Sequence, residues 1–162
     1  MIYSFPSRGA GGARNEGLLI AKGTWVLFLD ADDFFVKNAF SCLEQVINYS
    51  EDIVYFKMSS CYSDTLEKAD RGVFYCNLVC SFFKKEQNAE LKLRHCHSSP
   101  CAKLIKLNLI RKNNILFDEV IASNDVMFSL KVGHYAKSIT CLDNFVYCAT
   151  ISEGTLTKTI SK

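Results

Sequence analysis

The pattern of apolar positions predicts alternating helices and strands in the first part of the chain. Residues 11–22 carry an apolar side at Leu18, Leu19 and Ala21, and Gly23 follows as a stop signal, which predicts a helix. Residues 25–29 form a continuous apolar run, typical of a strand that is buried on both faces. Helical spacing over residues 36–50 and a β-rich run over 52–63 predict a second helix and a second strand. This order indicates an α/β sheet.

The pattern is less decisive in the remaining two thirds. Residues 71–83 fit either a strand or a buried helix. Residues 102–114 predict an amphipathic helix, and a further helix is predicted to open at Ser123 or Asn124, which are both suitable caps. Residues 138–152 predict one or two closing strands. Residues 1–5 fit one short strand before the first helix, so the beginning of the expected sheet is predicted to be missing.

Length and charge narrow the class of protein. A chain of 162 residues with 49% apolar side chains predicts one domain over residues 1–162. A net charge of +2 without a long basic run argues against nucleic acid as a partner. No apolar stretch approaches the roughly 20 residues that span a bilayer, and no secretory signal is present. We therefore expect a cytoplasmic protein, with peripheral association at the inner face of the membrane left open.

The eight cysteines are expected to be free thiols. Most of them lie in apolar or β-like runs, and without an export signal a disulfide framework is not predicted. A zinc site built from His95, Cys96, His97 and Cys101, with Cys76 or Cys80, is the weaker alternative because no CxxC pair is present.

Three carboxylates follow the first predicted strand. Asp30, Asp32 and Asp33 lie within four positions, at the end of a strand where open α/β sheets bind ligands. Carboxylates this close stay ionised together only around a positive charge, and Mg²⁺ or Mn²⁺ suits such oxygen sites and bridges to phosphates. We therefore expect a cation and a phosphorylated ligand at Asp30 and Asp32. The alternative is an exposed acidic turn in which Asp33 caps the next helix.

The segment "GARNEGLLIAKGTWVLFLDADD" resembles the central motif of the family 2 glycosyltransferases, the inverting GT-A enzymes that use nucleotide-sugar donors. In that family an ARN-x-G…A-x-G helix precedes an apolar strand that ends in a D-x-D element. The matching positions here are Ala13, Arg14, Asn15, Gly17, Ala21, Gly23, Asp30 and Asp32. Further on, "CAKLIKLNLIRKNNILFDEVIASNDVMF" is similar to the acceptor-side segment of the family, and "VYCATISEGTLT" to its closing Tyr-containing strand with a Ser/Leu/Thr stretch.

The resemblance implies a GT-A-like mixed sheet flanked by helices and truncated at its N-terminus, with residues 1–63 on the donor side and 64–162 on the acceptor side. It implies that Arg14 and Asp30 bind the donor nucleotide, that Asp30 and Asp32 hold Mn²⁺ or Mg²⁺, and that Asp125 is the catalytic base. Asn124 stands where the family usually has Glu. The implied function is inverting, metal-dependent transfer of a sugar from a nucleotide-diphosphate sugar to a saccharide or lipid-linked acceptor, in surface polysaccharide synthesis.

Two other functions stay open. The chain is a non-catalytic fragment if the base-binding part of the domain is absent. A haloacid dehalogenase-type phosphatase is less favoured, because Phe34 and Phe35 stand where its small residues are expected. His95 and His97 lie where the family contacts its substrates, without a defined role. Trp25 is expected in the core, and a solvated helix face is expected for Lys103, Lys106, Arg111 and Lys112, with contact to anionic lipid as the alternative.

Overall fold

The computed structural model describes residues 9–152 of the chain. Its helices are α1 (Gly9–Ile20), α2 (Ala39–Glu44), α3 (Val73–Phe83), α4 (Ala89–Cys96), α5 (Leu107–Lys112) and α6 (Val126–Tyr135). Its strands are β1 (Trp25–Val26), β2 (Phe34–Phe35), β3 (Ile53–Tyr62), β4 (Lys103–Lys106) and β5 (Ile139–Ile151). The strand predicted over residues 1–5 and most of the closing Ser/Leu/Thr stretch lie outside the described residues.

The five strands form one mixed sheet in the order β1-β4-β3-β5-β2. Its centre is the long parallel pair β3 and β5, with a register shift on either side of Lys57. All the other pairs are antiparallel. The middle of this sheet is apolar on both faces, since the first four residues of β3 are fully buried. The sheet therefore provides the rigid frame on which the loops at its edge are held.

Helices cover this sheet and contact one another closely. α3 packs against β3 and β5, and α4 packs against both α3 and α6. At Gly133 in α6 a Cβ atom would lie 2.0 Å from the carbonyl oxygen of Arg94, so only glycine permits the observed approach of α4 and α6. Arg94 strengthens the same contact, because its Nη1 donates to the carbonyl oxygens of Gly133 and Ala136 at 3.0 and 2.7 Å.

The predicted architecture of a mixed sheet flanked by helices is confirmed, and so are the first helix and the strand over residues 52–63. In the ambiguous run over residues 71–83, a helix forms from Val73 to Phe83. The helix predicted over residues 102–114 is wrong in its first part, because residues 103–106 form β4 between β1 and β3. Pairing on both sides outweighs the helical spacing there, and the helix begins only at Leu107.

Three other boundaries differ from the prediction. Only residues 25–26 of the run over 25–29 pair in the sheet, antiparallel to β4, and the run is not buried on both faces because Leu29 is 46% exposed. The second helix is confined to residues 39–44. α6 begins one residue later than predicted, with Asp125 as its N-cap. No helix within residues 9–152 has the length and apolar character required to cross a membrane.

Candidate active site

The acidic loop connects β1 with β2 and is closed by a turn. The backbone N–H of Asp33 donates to the carbonyl oxygen of Asp30 at 3.0 Å. β2 follows directly and pairs with β5, so that Phe35 lies opposite Tyr147. The loop is thus held between two strands of the sheet, and its three carboxylates have different surroundings.

Asp33 anchors the loop to β5. Its carboxylate accepts hydrogen bonds from the Tyr147 hydroxyl and from the Thr150 backbone N–H, the latter at 2.7 Å. The Thr150 hydroxyl also donates to the carbonyl oxygen of Asp32 at 2.8 Å. Burial of the carboxylate raises the pKa of Asp33 despite these donors. The alternative in which Asp33 caps the next helix is wrong, since Asn38 is the N-cap of α2.

Arg14 joins the acidic loop to the segment before α6. One guanidinium nitrogen donates to Asp30 Oδ1, and the other donates to Asn124 Oδ1 at 2.7 Å. The guanidinium carbon lies 5.3 Å from the centre of the Phe117 ring, in cation–π geometry. Arg14 is therefore not a solvated residue of α1: it connects the predicted donor side with the predicted acceptor side.

The neighbouring Asn15 fixes α1 against the acceptor segment. Its side-chain amide donates to the carbonyl oxygen of Phe117 at 3.0 Å, and its Oδ1 accepts from the Phe117 N–H at 2.9 Å. One turn earlier, a Cβ atom on Gly11 would lie 2.1 Å from the carbonyl oxygen of Asp118, so only glycine fits there. Both contacts set the distance between α1 and the segment that leads to Asn124.

An aromatic cluster supports this arrangement from the core side. The rings of Phe117 and Phe128 stack at 3.7 Å between centroids, and Phe28 packs edge-on against both, at 5.1 and 5.5 Å. The three residues come from the segment before α6, from α6 itself and from the run that leads into the acidic loop. Their packing links the positions of Asp30 and Asn124 to the core.

Asp125 lies half-buried at the start of α6. Its backbone oxygen accepts from the Ser129 N–H at 2.9 Å, and its carboxylate sits near the positive end of the helix dipole. Within residues 9–152, no hydrogen bond or ion pair joins Asp125 to the acidic loop. Asp32 is exposed and makes no side-chain hydrogen bond in the same part of the chain. Arg14 and Asp30 thus meet directly, whereas the carboxylates of Asp32 and Asp125 make no hydrogen bond within residues 9–152.

The acidic loop offers two carboxylates that could contribute to a metal site. Asp32 offers unpaired carboxylate oxygens and Asp30 is 39% exposed beside Arg14, so hard oxygen donors suited to Mg²⁺ or Mn²⁺ are present. Within the described residues, no three His, Cys, Asp or Glu side chains gather closely enough to hold a metal ion. A cation at Asp30 and Asp32 would accordingly draw its other ligands from water and from phosphate oxygens.

The other residues considered in the sequence lie elsewhere. His95 is exposed, and His97 is buried between the rings of Tyr55 and Tyr75, at 5.1 and 4.5 Å. All eight cysteines are free thiols. Trp25 is half-buried and packs against the core, and its indole N–H donates to the carbonyl oxygen of Ile47.

A solvated helix face is wrong for Lys103 and Lys106, which lie in β4, whereas Arg111 and Lys112 are exposed on α5. Lys103 is buried in β4, and Lys106 donates from the end of β4 to the carbonyl oxygen of Ser50. Arg111 donates to carbonyl oxygens at the end of α1, the shortest bond being 2.6 Å to Ala21. Such capping satisfies carbonyl groups that the helix itself leaves unpaired.

Sequence reasoning missed the residues that hold the site together. The sequence places Asn15 and Asn124 in the family motifs but predicts no contact for either. It places Tyr147 and Thr150 in the closing strand but predicts no role for them. Their partners lie 102 to 117 positions away in the chain, so no local spacing reveals them. The run of three aspartates is the sequence feature that indicates such contacts. A carboxylate that becomes buried beside two others needs hydrogen-bond donors from elsewhere in the chain.

The chain belongs to glycosyl transferase family 2: the family profile matches residues 2–113. The match includes Arg14, Asn15 and the acidic loop, and it ends before Asn124 and Asp125. The GT-A-like fold that the resemblance implied is likewise confirmed by similarity to a solved transferase.

The chain is similar to two named glycosyltransferases and to a crystal structure of one of them. It is 36% identical over 87 residues to the UDP-Glc:alpha-D-GlcNAc-diphosphoundecaprenol beta-1,3-glucosyltransferase WfaP of Escherichia coli, covering 46% of this chain and 34% of WfaP. It is 29% identical over 153 residues to the poly(ribitol-phosphate) beta-N-acetylglucosaminyltransferase TarS of Staphylococcus aureus (strain MW2), covering 91% of this chain and 25% of TarS. The crystal structure of S. aureus TarS 1–349 in complex with UDP-GlcNAc matches with a TM-score of 0.69 and 28% identity, over 91% of this chain and 40% of that chain. The chain thus spans between a quarter and two fifths of the length of these relatives.

Proposed function

We propose that this chain carries the catalytic part of an inverting, metal-dependent glycosyltransferase. Its donor is a nucleotide-diphosphate sugar, and its acceptor is a saccharide or a lipid-linked saccharide used in surface polysaccharide synthesis. The observation that carries the proposal is the bridge made by Arg14 between Asp30 and Asn124. It brings the acidic loop next to the residue that precedes Asp125, within a family of glycosyltransferases.

The chemistry of inverting transfer suits these residues. An acceptor hydroxyl attacks the anomeric carbon while the nucleoside diphosphate leaves, and a single carboxylate must accept the hydroxyl proton. Asp125 takes this role because its carboxylate is unpaired within residues 9–152 and the start of α6 favours a negative charge. No covalent nucleophile is needed.

The acidic loop and Arg14 form the donor side of the proposed site. Asp30 and Asp32 would hold Mn²⁺ or Mg²⁺, and the cation when bound neutralises charge on the departing diphosphate. Arg14 is positioned to orient Asp30, and its guanidinium is a suitable partner for phosphate oxygens. The similar TarS structure holds UDP-GlcNAc, which favours UDP as the nucleotide to test first.

The acceptor and the location follow from chemistry and from the relatives. WfaP acts on a sugar linked to diphosphoundecaprenol, so a lipid-linked acceptor is included in the proposal. Such an acceptor would place the enzyme in the cytoplasm at the inner face of the membrane.

The test is a transfer assay with radiolabelled UDP-sugars, Mn²⁺ or Mg²⁺, and saccharide or undecaprenyl-diphosphate-linked acceptors. Asp125→Asn and Asp32→Asn should each lower kcat by at least about 100-fold, in line with loss of a general base or of a charge-stabilising ligand. Asp143→Asn, at an exposed carboxylate paired with Lys57, is the matched control and should retain activity. Normal turnover in either site variant would contradict the role assigned to that residue.

The second candidate is a non-catalytic fragment, favoured by the short span of the chain on its relatives. Calorimetry with UDP and GDP sugars in the presence of Mn²⁺ separates the two functions. Micromolar binding by the chain alone would contradict the fragment, whereas the absence of binding across the panel would favour it.

A further inference from the structure

Lys103 is a charged residue without any exposed surface. It begins β4, lies opposite Tyr55 in β3, and is 0% exposed. Lysine is almost never fully buried unless it is paired, because removing an ammonium group from water is costly. A buried lysine needs a hydrogen-bond acceptor or an opposite charge nearby, and the residues around Lys103 show which groups are available.

The groups in contact with Lys103 are uncharged. Its Nζ donates to the carbonyl oxygen of His97 at 2.8 Å and lies 5.2 Å from the centre of the Tyr55 ring. The hydroxyl of Tyr55 and both ring nitrogens of His97 are buried without a hydrogen-bond partner. Burial, together with Lys103, lowers the pKa of His97 well below its usual value, so the imidazole is neutral.

Two neighbouring groups oppose the effect of burial on the charge of Lys103. Burial lowers the pKa of Lys103 to about 7, while Cys101 and Asp125 act in the opposite direction. Burial also raises the pKa of the Cys101 thiol to about 12, so this thiol is uncharged near neutral pH. Of the two groups that raise the pKa of Lys103, only the Asp125 carboxylate then carries a charge.

A chain of hydrogen bonds connects the same two residues through the backbone. The Lys103 ammonium group donates to the carbonyl oxygen of His97. The next carbonyl oxygen, that of Ser98, accepts a hydrogen bond from the Ser129 hydroxyl at 2.5 Å. The N–H of Ser129 donates to the backbone oxygen of Asp125 at 2.9 Å. The segment after α4 is therefore fixed on one side by Lys103 and on the other side by the first turn of α6.

We propose that Lys103 is a positioning residue for Asp125: its ammonium group holds the His97–Ser98 segment against the first turn of α6 and supplies a buried positive charge to the Asp125 carboxylate. This proposal rests on the proposed function, in which Asp125 accepts the proton of the acceptor hydroxyl. Lys103 does not touch the reacting groups and acts through Asp125.

The experiment follows the Lys103 side chain by NMR in the full chain labelled with ¹³C at the lysine Cε. The signal is assigned by its absence in Lys103→Met or by through-bond correlation, and it is titrated in the wild type and in Asp125→Asn. The titratable groups that face Lys103 are Tyr55 from β3, His97 at the end of α4, Cys101 before β4, and Asp125 at the start of α6. Asp143→Asn is the control, since this exposed carboxylate pairs with Lys57.

Lys103 should titrate near pH 7, and its pKa should fall in Asp125→Asn, because the carboxylate that favours the ammonium form of Lys103 is removed. The control should leave it unchanged. A Lys103 signal that titrates with the exposed lysines, or an unchanged pKa in Asp125→Asn, would overturn the proposal. In the transfer assay, Lys103→Met should lower kcat more than it raises the KM of the donor. A chain without transferase activity would contradict the proposed function, while the titration would still decide whether Lys103 interacts with Asp125.

Discussion

Asn15 provides the sharpest test of how the site is assembled. Its side chain makes two hydrogen bonds with the backbone of Phe117, at 2.9 and 3.0 Å, between residues 102 positions apart. Asn15→Ala removes both bonds and leaves an N–H and a carbonyl group unpaired beside a side chain that is only 3% exposed. We therefore expect a loss of stability, and with it a looser contact between α1 and the segment that leads to Asn124.

The size of this loss follows from the number of unpaired groups. A buried donor or acceptor without a partner costs about 1–3 kcal/mol. Because Asn15 is half-buried and water reaches part of the contact, we take the lower part of that range and expect about 2–4 kcal/mol for the pair. A chain of this size shifts its Tm by about 2–4 °C per kcal/mol, so the variant should melt roughly 4–16 °C lower.

Urea denaturation measures the effect through Trp25, the only tryptophan of the chain, and in parallel through far-UV circular dichroism. Coincident transitions would justify a two-state free energy. Asn48→Ala is the matched control, because Asn48 is exposed in the turns after α2 and should change stability by less than about 0.5 kcal/mol. If Asn15→Ala also stays within that range, the docking role of Asn15 is refuted.

Three further substitutions test the burial of Lys103, the capping of α1 by Arg111 and the anchoring of the acidic loop by Tyr147. Lys103→Met should abolish a rise of about 1–2 kcal/mol in unfolding free energy between about pH 7 and pH 8.5, because Lys103, with a folded pKa of about 7, gives up its proton in the folded protein over this range while the unfolded chain keeps it. The stability gained at the higher pH is lost as the pH falls through the folded pKa of Lys103. If denaturation at pH 7 and at pH 8.5 gives the same rise in unfolding free energy for the wild type and for Lys103→Met, this explanation is contradicted. Arg111→Met should cost about 1 kcal/mol in thermal denaturation by uncapping α1, and an equal loss in the neighbouring Lys112→Met would speak against capping. Tyr147→Phe should cost about 1–2 kcal/mol in urea denaturation, since the Asp33 carboxylate loses a donor, and unchanged stability would contradict the anchoring role.

The fold was predictable where a single period dominated the sequence. The apolar run of β3 and the helix with the ARN motif were found because their patterns are local. The strand β4 is not predicted, because its sequence "KLIK" leads directly into a helix and shares the helical spacing of that helix. In addition, Lys103 is buried, whereas a lysine in a sequence normally indicates a solvent-exposed position. Pairing with strands on both sides, which decides the structure there, is a property of the whole sheet.

The candidate site was predictable only at its charged positions. Asp30 and Arg14 attract attention because charges at the end of an apolar run need a partner, and the structure does bring these two together. The neutral residues that hold them are ordinary in the sequence: Asn15 and Tyr147 reach partners more than a hundred positions away. Long-range hydrogen bonds of this kind have no periodic signal, so they become visible only when the chain is folded.

The three aspartates of the loop therefore cannot be treated as one negative cluster. Asp30 is paired with a guanidinium, and Asp33 is turned into the sheet toward a hydroxyl and an N–H. Only Asp32 presents a carboxylate without a protein partner among residues 9–152, whereas the Asp30 carboxylate pairs with Arg14 and the Asp33 carboxylate accepts from neutral donors. Under the proposed function, a divalent cation could bind Asp32 without breaking a protein contact, and its remaining coordination positions would be open to oxygens of the diphosphate. The anchoring of Asp33 to β5 and the pairing of Asp30 with Arg14 thus make Asp32 the carboxylate on which the proposed cation would depend most.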